Sequence, residues 1–534
     1  MEVDFWPYKV AKELVRMFDV EKQVISSGTS MSGEPHIGSA NDVIRAQAIY
    51  LALKDMGVNA ELNWISDNMD PLRSVPKGMP KELEKYLGFP VSSVPDFWGC
   101  HNSFAEHFES QFIEQLKEVF VEPVIYPGSE MYKKGMYNET IKIAFEKRME
   151  IKAILDQFRQ TPLPEDWFPF KVICENCGKI ATTKILNYHP EDNTVDYICS
   201  KEPVLLHKKY FVRGCGYKGR VSVFNGSGKL IWRIEWPARW SFLKVTCEPF
   251  GKEHAASGGS YDTGKEIVEK IFGWKAPYPV IYEHFLVNGE KMSKSKGNVI
   301  TLPMILRYMA PEELRYWMFQ GKLTIAKDIR IRNMVPHTME EFDKAEKIFF
   351  GKIDIKDERR KNNYIKAYKL AIVKVPEKLP IRVPFRIAVQ VVQLFDVEKE
   401  FDKALEFIKI SMGLEETPKE DIELIKQRLW RVNNWVRDYL EMEEKIRIKS
   451  VEEVKKLLKE EEMEILRVIG EEMERGLNVI EAIAKASEEF GKNKEDIFQL
   501  CYLSIFGKKS GPKLLTIEKI WGRKFLINRF KMVG

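Results

Sequence analysis

The stretch that decides the fold is QVISSGTSMSGEPHIG, residues 23–38. It opens with a short apolar strand, Gln23 to Ser26, which leads into a turn rich in glycine and serine, Ser27 to Gly33. A helix follows from about Asn41, and a second strand runs from Ala60 to Ser66. A strand, a glycine-rich turn, a helix and a strand in this order predict an α/β fold built on a doubly wound parallel sheet.

Working outward from this unit, composition and periodicity divide the chain into four parts. A proline-rich stretch, Thr161 to Pro169, is typical of a linker, and a turn-rich segment with several cysteines follows it. The sheet resumes near Trp232, includes a strand at Val280 to Phe285, and ends in the helix after Pro311. Beyond about residue 335, helical periodicity dominates. We therefore expect a Rossmann-like catalytic domain in two halves, 1–160 and 231–335, an inserted module, 161–230, and an all-helical domain, 336–534.

The bulk composition is that of an ordinary globular chain. It has 534 residues, of which 44% are hydrophobic and 31% charged. No charged-then-apolar leader and no apolar run long enough for a bilayer is evident, so we expect a cytoplasmic protein without a membrane partner. The sequence leaves the oligomeric state open, and a monomer is the simplest expectation. The net charge of +5 does not by itself indicate nucleic-acid binding. Seven cysteines in so long a chain favour metal ligation or reduced thiols over a disulfide scaffold.

Two segments carry the signs of nucleotide chemistry. Pro35-His36-Ile37-Gly38-Ser39 lies where the first strand turns into its helix, and a helix N-terminus favours a phosphate. Gly38 lets a nucleotide approach the backbone, and His36 can donate to a phosphate oxygen, although a core histidine in a turn is the alternative. The second segment, Gly289 to Asn298, contains three lysines within six positions. Such ammonium groups stabilise the charge that develops as pyrophosphate leaves, and the alternative is a solvated basic loop.

Together these segments resemble the signatures of class I aminoacyl-tRNA synthetases. Residues 35–38 resemble the HIGH motif and residues 291–295 match KMSKS. The resemblance implies that His36 and Gly38 hold ATP, accompanied by Mg²⁺. It also implies that Lys291, Ser293 and Lys294 stabilise the transition state of adenylate formation, with Lys294 touching ATP as well. The implied partners are ATP, an amino acid and tRNA.

Further stretches resemble the archaeal-type class I lysyl-tRNA synthetases. The stretches are 96–101, 106–108, 129–135, 144–148, 232–240, 251–254 and 260–264. This resemblance implies lysine as the amino acid and places Gly28, Ser30, His254 and Tyr282 around it. The chain departs from this branch at Ser30 and Met31, where threonine and proline are usual, which puts affinity or exact substrate in doubt.

A lysine site needs acceptors for an ammonium group and aromatic walls for its methylene stem. The candidate acceptors are Asp67, Asp70 and Glu235. The candidate walls are Trp232, Trp236 and Tyr282. For each tryptophan, packing in the core is the competing interpretation.

Two groups of residues have the spacing of zinc ligands. Asp96, Cys100, His101 and His107 lie within twelve positions, and the alternative is a chance cluster on a surface loop. Cys174, Cys177, Cys199 and Cys215 fall in the inserted module and suggest a zinc ribbon, with His207 as an alternative to Cys215. We therefore predict one or two structural zinc ions and a zinc-bearing insertion. Such a small module has little core of its own, so metal is expected to do much of its folding.

The helical part of the chain resembles the anticodon-binding domain of glutamyl-type synthetases. Near its end, basic residues stand beside aromatic ones, a mixture suited to single-stranded bases. These residues are Lys519, Trp521, Arg523, Lys524, Phe525, Arg529 and Phe530. The alternative is that the aromatics are buried helix faces with solvated cations outside.

Three other functions compete with a lysine–tRNA ligase. A class I synthetase for glutamate or cysteine would share the nucleotide signatures. A catalytically silent paralogue that binds tRNA has no chemical need for intact His36, Gly38, Lys291, Ser293 and Lys294. A dehydrogenase is disfavoured, because no GxGxxG follows the first strand.

Overall fold

A computed structural model of the chain describes residues 5–208, 210–292 and 298–534. Packing divides it into two compact units. Unit 1 comprises Met1–Ile305, Pro311–Arg330 and Asp354–Val375, and unit 2 comprises Leu306–Ala310, Ile331–Ile353 and Pro376–Gly534. The four-part division expected from the sequence stays a prediction.

The strands belong to unit 1. They are β1 (Gln23–Thr29), β2 (Ala60–Ser66), β3 (Val124–Pro127), β4 (Phe170–Val172), β5 (Thr183–His189), β6 (Thr194–Cys199), β7 (Val204–His207), β8 (Tyr210–Val212), β9 (Lys218–Ser222), β10 (Gly228–Leu230), β11 (Cys247–Gly251), β12 (Tyr278–Tyr282), β13 (Phe285–Val287), β14 (Glu290–Lys291) and β15 (Lys327–Ile329).

The helices occupy both units. They are α1 (Trp6–Met17), α2 (Ile37–Asp55), α3 (Phe104–Glu118), α4 (Gly128–Lys133), α5 (Asn138–Glu146), α6 (Arg148–Asp156), α7 (Trp232–Phe242), α8 (Ser260–Lys270), α9 (Leu302–Leu306), α10 (Pro311–Phe319), α11 (Ile331–Phe349), α12 (Glu358–Ile372), α13 (Phe385–Leu394), α14 (Phe401–Met412), α15 (Lys419–Tyr439), α16 (Val451–Lys455), α17 (Glu460–Glu474), α18 (Val479–Phe490), α19 (Lys494–Phe506), α20 (Leu514–Trp521) and α21 (Arg523–Val533). Among the described residues, no helix combines the length and the apolarity that crossing a bilayer requires.

The main sheet confirms the doubly wound fold. Its described strands run in the order β12–β11–β1–β2–β3, and every pairing is parallel. Helix α2 packs against β1, β2 and β11. The order reverses between β1 and β11, and such a switch point leaves a crevice beyond the carboxyl ends of the strands.

Three boundaries differ from those expected. Strand β1 continues through Thr29, because Gly28 and Thr29 pair with Ile65 and Ser66 of β2. Helix α2 starts at Ile37 rather than near Asn41, because the His36 ring accepts the Ser39 N–H and so caps the first turn. The strand expected at Val280 to Phe285 is two strands, β12 and β13, in two different sheets.

The inserted module shares its core with the rest of unit 1. Its strands β5, β6 and β9 form one antiparallel sheet, while β4 pairs with β10. Buried Val195 and Tyr197 of β6 belong to the same hydrophobic cluster as Tyr132 and Ile234. This agrees with the expectation that the module has little core of its own, because its apolar residues are buried together with helices from both sides of the insertion.

The described residues of unit 2 form helices joined by loops, and none of them lies in a strand. Its C-terminal helices enclose an apolar core to which α17, α18, α19 and α21 all contribute. A buried ion pair between Arg428 of α15 and Asp343 of α11 is bidentate, with N···O distances of 2.9 and 2.8 Å.

The buried guanidinium of Arg315 ties three parts of unit 1 to α10. It donates to the carbonyls of Ala371 at 3.0 Å, Leu370 at 2.7 Å and Val119 at 3.1 Å, and also to the Gln47 side chain. Burial lowers the pKa of Arg315 to about 9. Because burial disfavours the charged form, the hydrogen bonds to the backbone carbonyls are what stabilises this cation.

We predict that Arg315→Met lowers the free energy of unfolding of unit 1 by about 3 kcal/mol, because three carbonyls lose a charged donor while staying buried. Urea denaturation followed by intrinsic fluorescence measures this. Arg330→Met is the matched control, since Arg330 is exposed and pairs with Asp328 only two positions before it. Equal midpoints for the two variants would contradict the prediction.

Candidate active site

A cavity of about 500 Å³ opens at the carboxyl edge of the main sheet, at the switch point. Four segments line it: the end of β1, the first turns of α2, the turn after β11, and the chain from the end of β12 to Met292. Parallel pairing brings these segments together, since Gly251 at the end of β11 stands beside Tyr282 at the end of β12.

Most of the sequence-predicted site residues meet in this cavity. Gly28, Ser30, His36, Gly38, His254, Tyr282 and Lys291 all line it. Trp232 lies beside the lining, with its ring stacked on Trp236 at 5.3 Å and 6.2 Å from the His254 ring. Ser293 and Lys294 lie outside the described residues, so their roles stay predictions.

His36 and Gly38 act as a unit at the start of α2. The Ser39 N–H donates to His36 Nδ1 at 3.2 Å, so in the neutral imidazole the proton lies on Nε2. This proton is the donor that the ring can offer to a ligand. A Cβ added to Gly38 would meet the His36 ring at 2.8 Å and the Met292 methyl at 3.2 Å. Glycine is therefore required at position 38 for this packing.

Asp42 is a cavity residue that the sequence analysis missed. Its Oδ1 is buried and has no hydrogen-bond partner among the described residues. Burial raises the pKa of Asp42 well above its usual value, and Glu248 adds to the rise while nearby Arg45 opposes it. Arg45 also donates to Asn41 Oδ1 at 2.8 Å and lies 5.2 Å from the centre of the Tyr282 ring. With the start of α2 placed correctly, the sequence would have identified Asp42 as a candidate, because it stands four positions after Gly38 on the same helix face.

The three acceptors predicted from the sequence are already paired with cations of the chain. Asp67 accepts from Arg239 at 2.6 Å. Buried Lys229 lies 2.5 Å from Asp70 and 2.6 Å from Glu235. A Cβ on Gly28 would meet Arg239 Nη2 at 3.0 Å and Asp67 Oδ2 at 3.4 Å. Because Gly28 has no side chain, the Asp67–Arg239 pair lies directly below the floor of the cavity.

Lys291 is held at the cavity mouth by a carboxylate. Its Nζ lies 3.0 Å from Glu253 Oε1, and His284 Nε2 contacts the same oxygen. Glu253 and His284 each follow the end of one of two neighbouring parallel strands. Polar residues at such strand ends are candidates for a site, so this position could have identified both from the sequence.

The first predicted metal group is gathered in the structure. The ligand atoms of Asp96, Cys100, His101 and His107 all lie within 4.8 Å of one another. Cys100 Sγ is 3.2 Å from His107 Nδ1 and 3.0 Å from His101 Nδ1. The Asp96 carboxylate also accepts three backbone N–H groups of its own loop, from Trp98, Cys100 and His101. Such a loop can hold a tetrahedral metal ion.

The second group is equally compact and includes Cys215. The Sγ atoms of Cys174, Cys177, Cys199 and Cys215 lie within 4.8 Å of one another, at 3.7 Å for Cys174–Cys215 and 3.6 Å for Cys177–Cys199. Separations of this size suit four thiolates at about 2.3 Å from one zinc. The alternative ligand, His207, is not part of the gathered group.

The basic and aromatic residues at the end of unit 2 are mostly engaged in packing. Phe530 is buried in the apolar core. Arg529 donates to the Ser504 and Lys449 carbonyls, and Arg523 to those of Met473 and Leu477. Trp521 and Phe525 are half-buried, with ring centres 5.0 Å apart. For Phe530 the packing alternative raised by the sequence holds, whereas Arg529 is buried and Arg523 half-buried, so these two are not the solvated cations that it expected.

Comparison with known proteins gives one consistent result. The sequence profile of the family described as tRNA synthetases class I (K) matches residues 4–374. The chain is 36% identical to a lysine–tRNA ligase of Methanocaldococcus jannaschii over 545 residues, covering 99% of each chain. It is 34% identical to the lysine–tRNA ligases of Methanococcus maripaludis and Methanosphaera stadtmanae, again over 99% of each chain.

Proposed function

The chain belongs to the class I (K) family of tRNA synthetases, and from this premise we propose that it joins lysine to tRNA, using ATP, in the cavity at the switch point of its sheet. The observation that carries the proposal is that His36, Gly38 and Lys291, some 250 residues apart in the chain, line one cavity with the residues predicted to hold the amino acid. In the first step the lysine carboxylate attacks the α-phosphorus of ATP and pyrophosphate leaves. In the second, the terminal ribose of tRNA attacks the lysyl carbonyl and AMP leaves.

The nucleotide half of the cavity is the start of α2 together with Lys291. The N-terminus of a helix of 19 residues favours the phosphates, and the His36 Nε2–H adds a donor. Lys291 stabilises the charge on the departing pyrophosphate, and Mg²⁺ accompanies the nucleotide. By resemblance Ser293 and Lys294 share this task. Chemistry of this kind needs positioning and charge, and no covalent nucleophile.

The amino-acid half is the floor around Gly28, with Ser30, Trp232, His254 and Tyr282 beside it. We assign to Asp42 the role of accepting a substrate ammonium group, since its carboxylate faces the cavity with a buried oxygen that has no partner among the described residues. Met31, which departs from the usual proline, is buried, so it fills the core while Ser30 keeps its hydroxyl at the cavity.

We propose zinc for both gathered groups of ligands. Each offers a thiolate-containing, four-member set, and with every position filled by protein each site would be structural. A translation enzyme works where tRNA is found, so we place the protein in the cytoplasm. A monomer stays the prediction for its oligomeric state.

Charging of total tRNA tests the function. We expect the protein, supplied with ATP, Mg²⁺ and tRNA from the start, to esterify lysine and none of the other proteinogenic amino acids, measured as acid-precipitable label. A different single amino acid would overturn the specificity. No charging, from protein that still binds tRNA, would indicate a silent paralogue.

For Asp42→Asn we predict a rise in the KM for lysine of about tenfold or more, because a charged acceptor for the ammonium is lost. The KM for ATP should change by less than about threefold. The KM of the unmodified protein should also fall as pH rises through the raised pKa of Asp42, because only the ionised carboxylate attracts the ammonium. This pH dependence should weaken in the variant.

The matched control is Asp55→Asn, at the far end of the same helix, where the carboxylate pairs with Tyr8 and Lys369 outside the cavity. Steady-state charging at several pH values checks both variants. An unchanged KM for lysine in Asp42→Asn would remove Asp42 from the site.

Metal analysis of the purified protein should find about two zinc ions per chain. Cys177→Ser and His107→Ala should each lower this by about one, since each removes a ligand from a different group. Cys501→Ser, which changes a buried cysteine of unit 2, should leave the content unchanged. Less than one zinc per chain in the unmodified protein would refute both sites.

A further inference from the structure

At the cavity mouth, two side chains from separate segments contact one carboxylate oxygen of a third. Glu253 stands two residues after β11, His284 two residues after β12, and Lys291 in β14. Glu253 Oε1 lies 3.0 Å from Lys291 Nζ, and His284 Nε2 contacts the same atom. All three side chains line the cavity.

The turn after β11 is shaped to bring Glu253 there. The His254 N–H donates to the Gly251 carbonyl at 3.1 Å, and the Lys252 N–H donates to the Tyr282 carbonyl at 3.1 Å, so the turn is pinned to the end of β12. A Cβ on Gly251 would lie 2.8 Å from Glu253 Oε2. Glycine at 251 therefore leaves the room into which the carboxylate folds.

We infer that Glu253 is a positioning residue that holds the Lys291 ammonium in the nucleotide-free site and yields it to the phosphates of ATP. This inference rests on the proposed role of Lys291 in binding the nucleotide. While the ammonium is paired with Glu253, its charge is partly neutralised, so the incoming triphosphate must compete with the carboxylate for it. Both side chains are half exposed or more, at 50% for Glu253 and 61% for Lys291, so the pair is weak enough to exchange.

His284 completes the arrangement. Although burial disfavours its charge, the pKa of Glu253 is lowered overall by a backbone N–H, by Lys291 and by His284, so the group is a carboxylate at neutral pH. When Lys291 moves to the phosphates, the Glu253–His284 contact remains. Burial lowers the pKa of His284, so the ring is neutral at neutral pH, and the Glu253 carboxylate still repels the incoming polyanion.

The consequence is that Glu253 and the phosphates of ATP compete for the Lys291 ammonium, which weakens ATP binding in the ground state. Removing the charge of Glu253 frees Lys291 for the phosphates before reaction. A merely structural residue would do the opposite, since its loss would disorder the cavity and weaken ATP binding. The sign of the change in affinity therefore separates the two roles.

The experiment measures the equilibrium dissociation constant for ATP by calorimetry, with tRNA present and lysine omitted so that no turnover occurs. We expect Glu253→Gln to lower this constant at least about threefold, and Glu253→Ala to do the same. In a Lys291→Ala background the effect of Glu253→Gln should shrink to less than about 1.5-fold, because the cation through which Glu253 acts is gone.

Glu283→Gln is the matched control. Glu283 adjoins His284 and forms a comparable surface pair with Lys252 at 2.8 Å, but it is not part of the cavity lining. Glu283→Gln should change the dissociation constant for ATP by less than about 1.5-fold. A rise or no change in Glu253→Gln and Glu253→Ala, or an equal fall in both backgrounds, would overturn the inference. If Lys291→Ala alone leaves ATP binding and charging unchanged, the proposed role of Lys291 fails instead.

Discussion

The site depends on the parallel pairing of β1 with β11, which joins two parts of the chain that lie about 220 residues apart. Ile25 stands opposite Cys247, and the Val24 carbonyl accepts the Thr246 N–H at 2.9 Å. The Thr246 hydroxyl adds a contact of 3.1 Å with the Val24 N–H. This pairing places the end of β1 beside the end of β11 and so creates the switch point. The start of α2, the cavity floor around Gly28 and the turn that carries Glu253 are neighbours because these two strands hydrogen-bond.

Buried charge is the second organising feature, and it is arranged in layers. Below the floor, Arg239 pairs with Asp67, and Lys229 pairs with both Asp70 and Glu235, while burial raises the pKa of Glu235. A charge left unpaired in such a place would be very costly, so these pairs fix the geometry of the floor and are not available to a substrate. At the cavity itself the balance is incomplete, because the Asp42 oxygen lacks a partner among the described residues. The excess of acceptor capacity lies where a cationic amino acid would enter.

The sequence predicted those features that depend on local patterns. The parallel fold, the meeting of His36 and Gly38 with Lys291, and the two gathered ligand groups follow from motifs and spacing. It could not predict where β1 ends or α2 begins, because those limits depend on hydrogen bonds to β2 and on the His36 ring. Nor could it show that Asp67 is paired, since its partner Arg239 is 172 positions away. Asp42 was missed because the sequence analysis started α2 near Asn41 rather than at Ile37, and because the burial of its oxygen follows only from the fold.

The two ligand groups are linked through one segment of chain, and this changes what a metal there would do. The Gly88 carbonyl accepts the N–H groups of Ile180 and Ala181, beside the CxxC turn. Gly178 of that turn packs so closely on Phe89 that a Cβ would lie 2.8 Å from its ring. Tyr86 then bridges Phe89 and Phe97, next to Asp96 of the other group, with ring centres 5.6 and 6.1 Å away. The insertion also shares its core with the helices on either side of it. An ion in either group would therefore stabilise the position of this segment relative to the sheet. Neither group stabilises a separate domain.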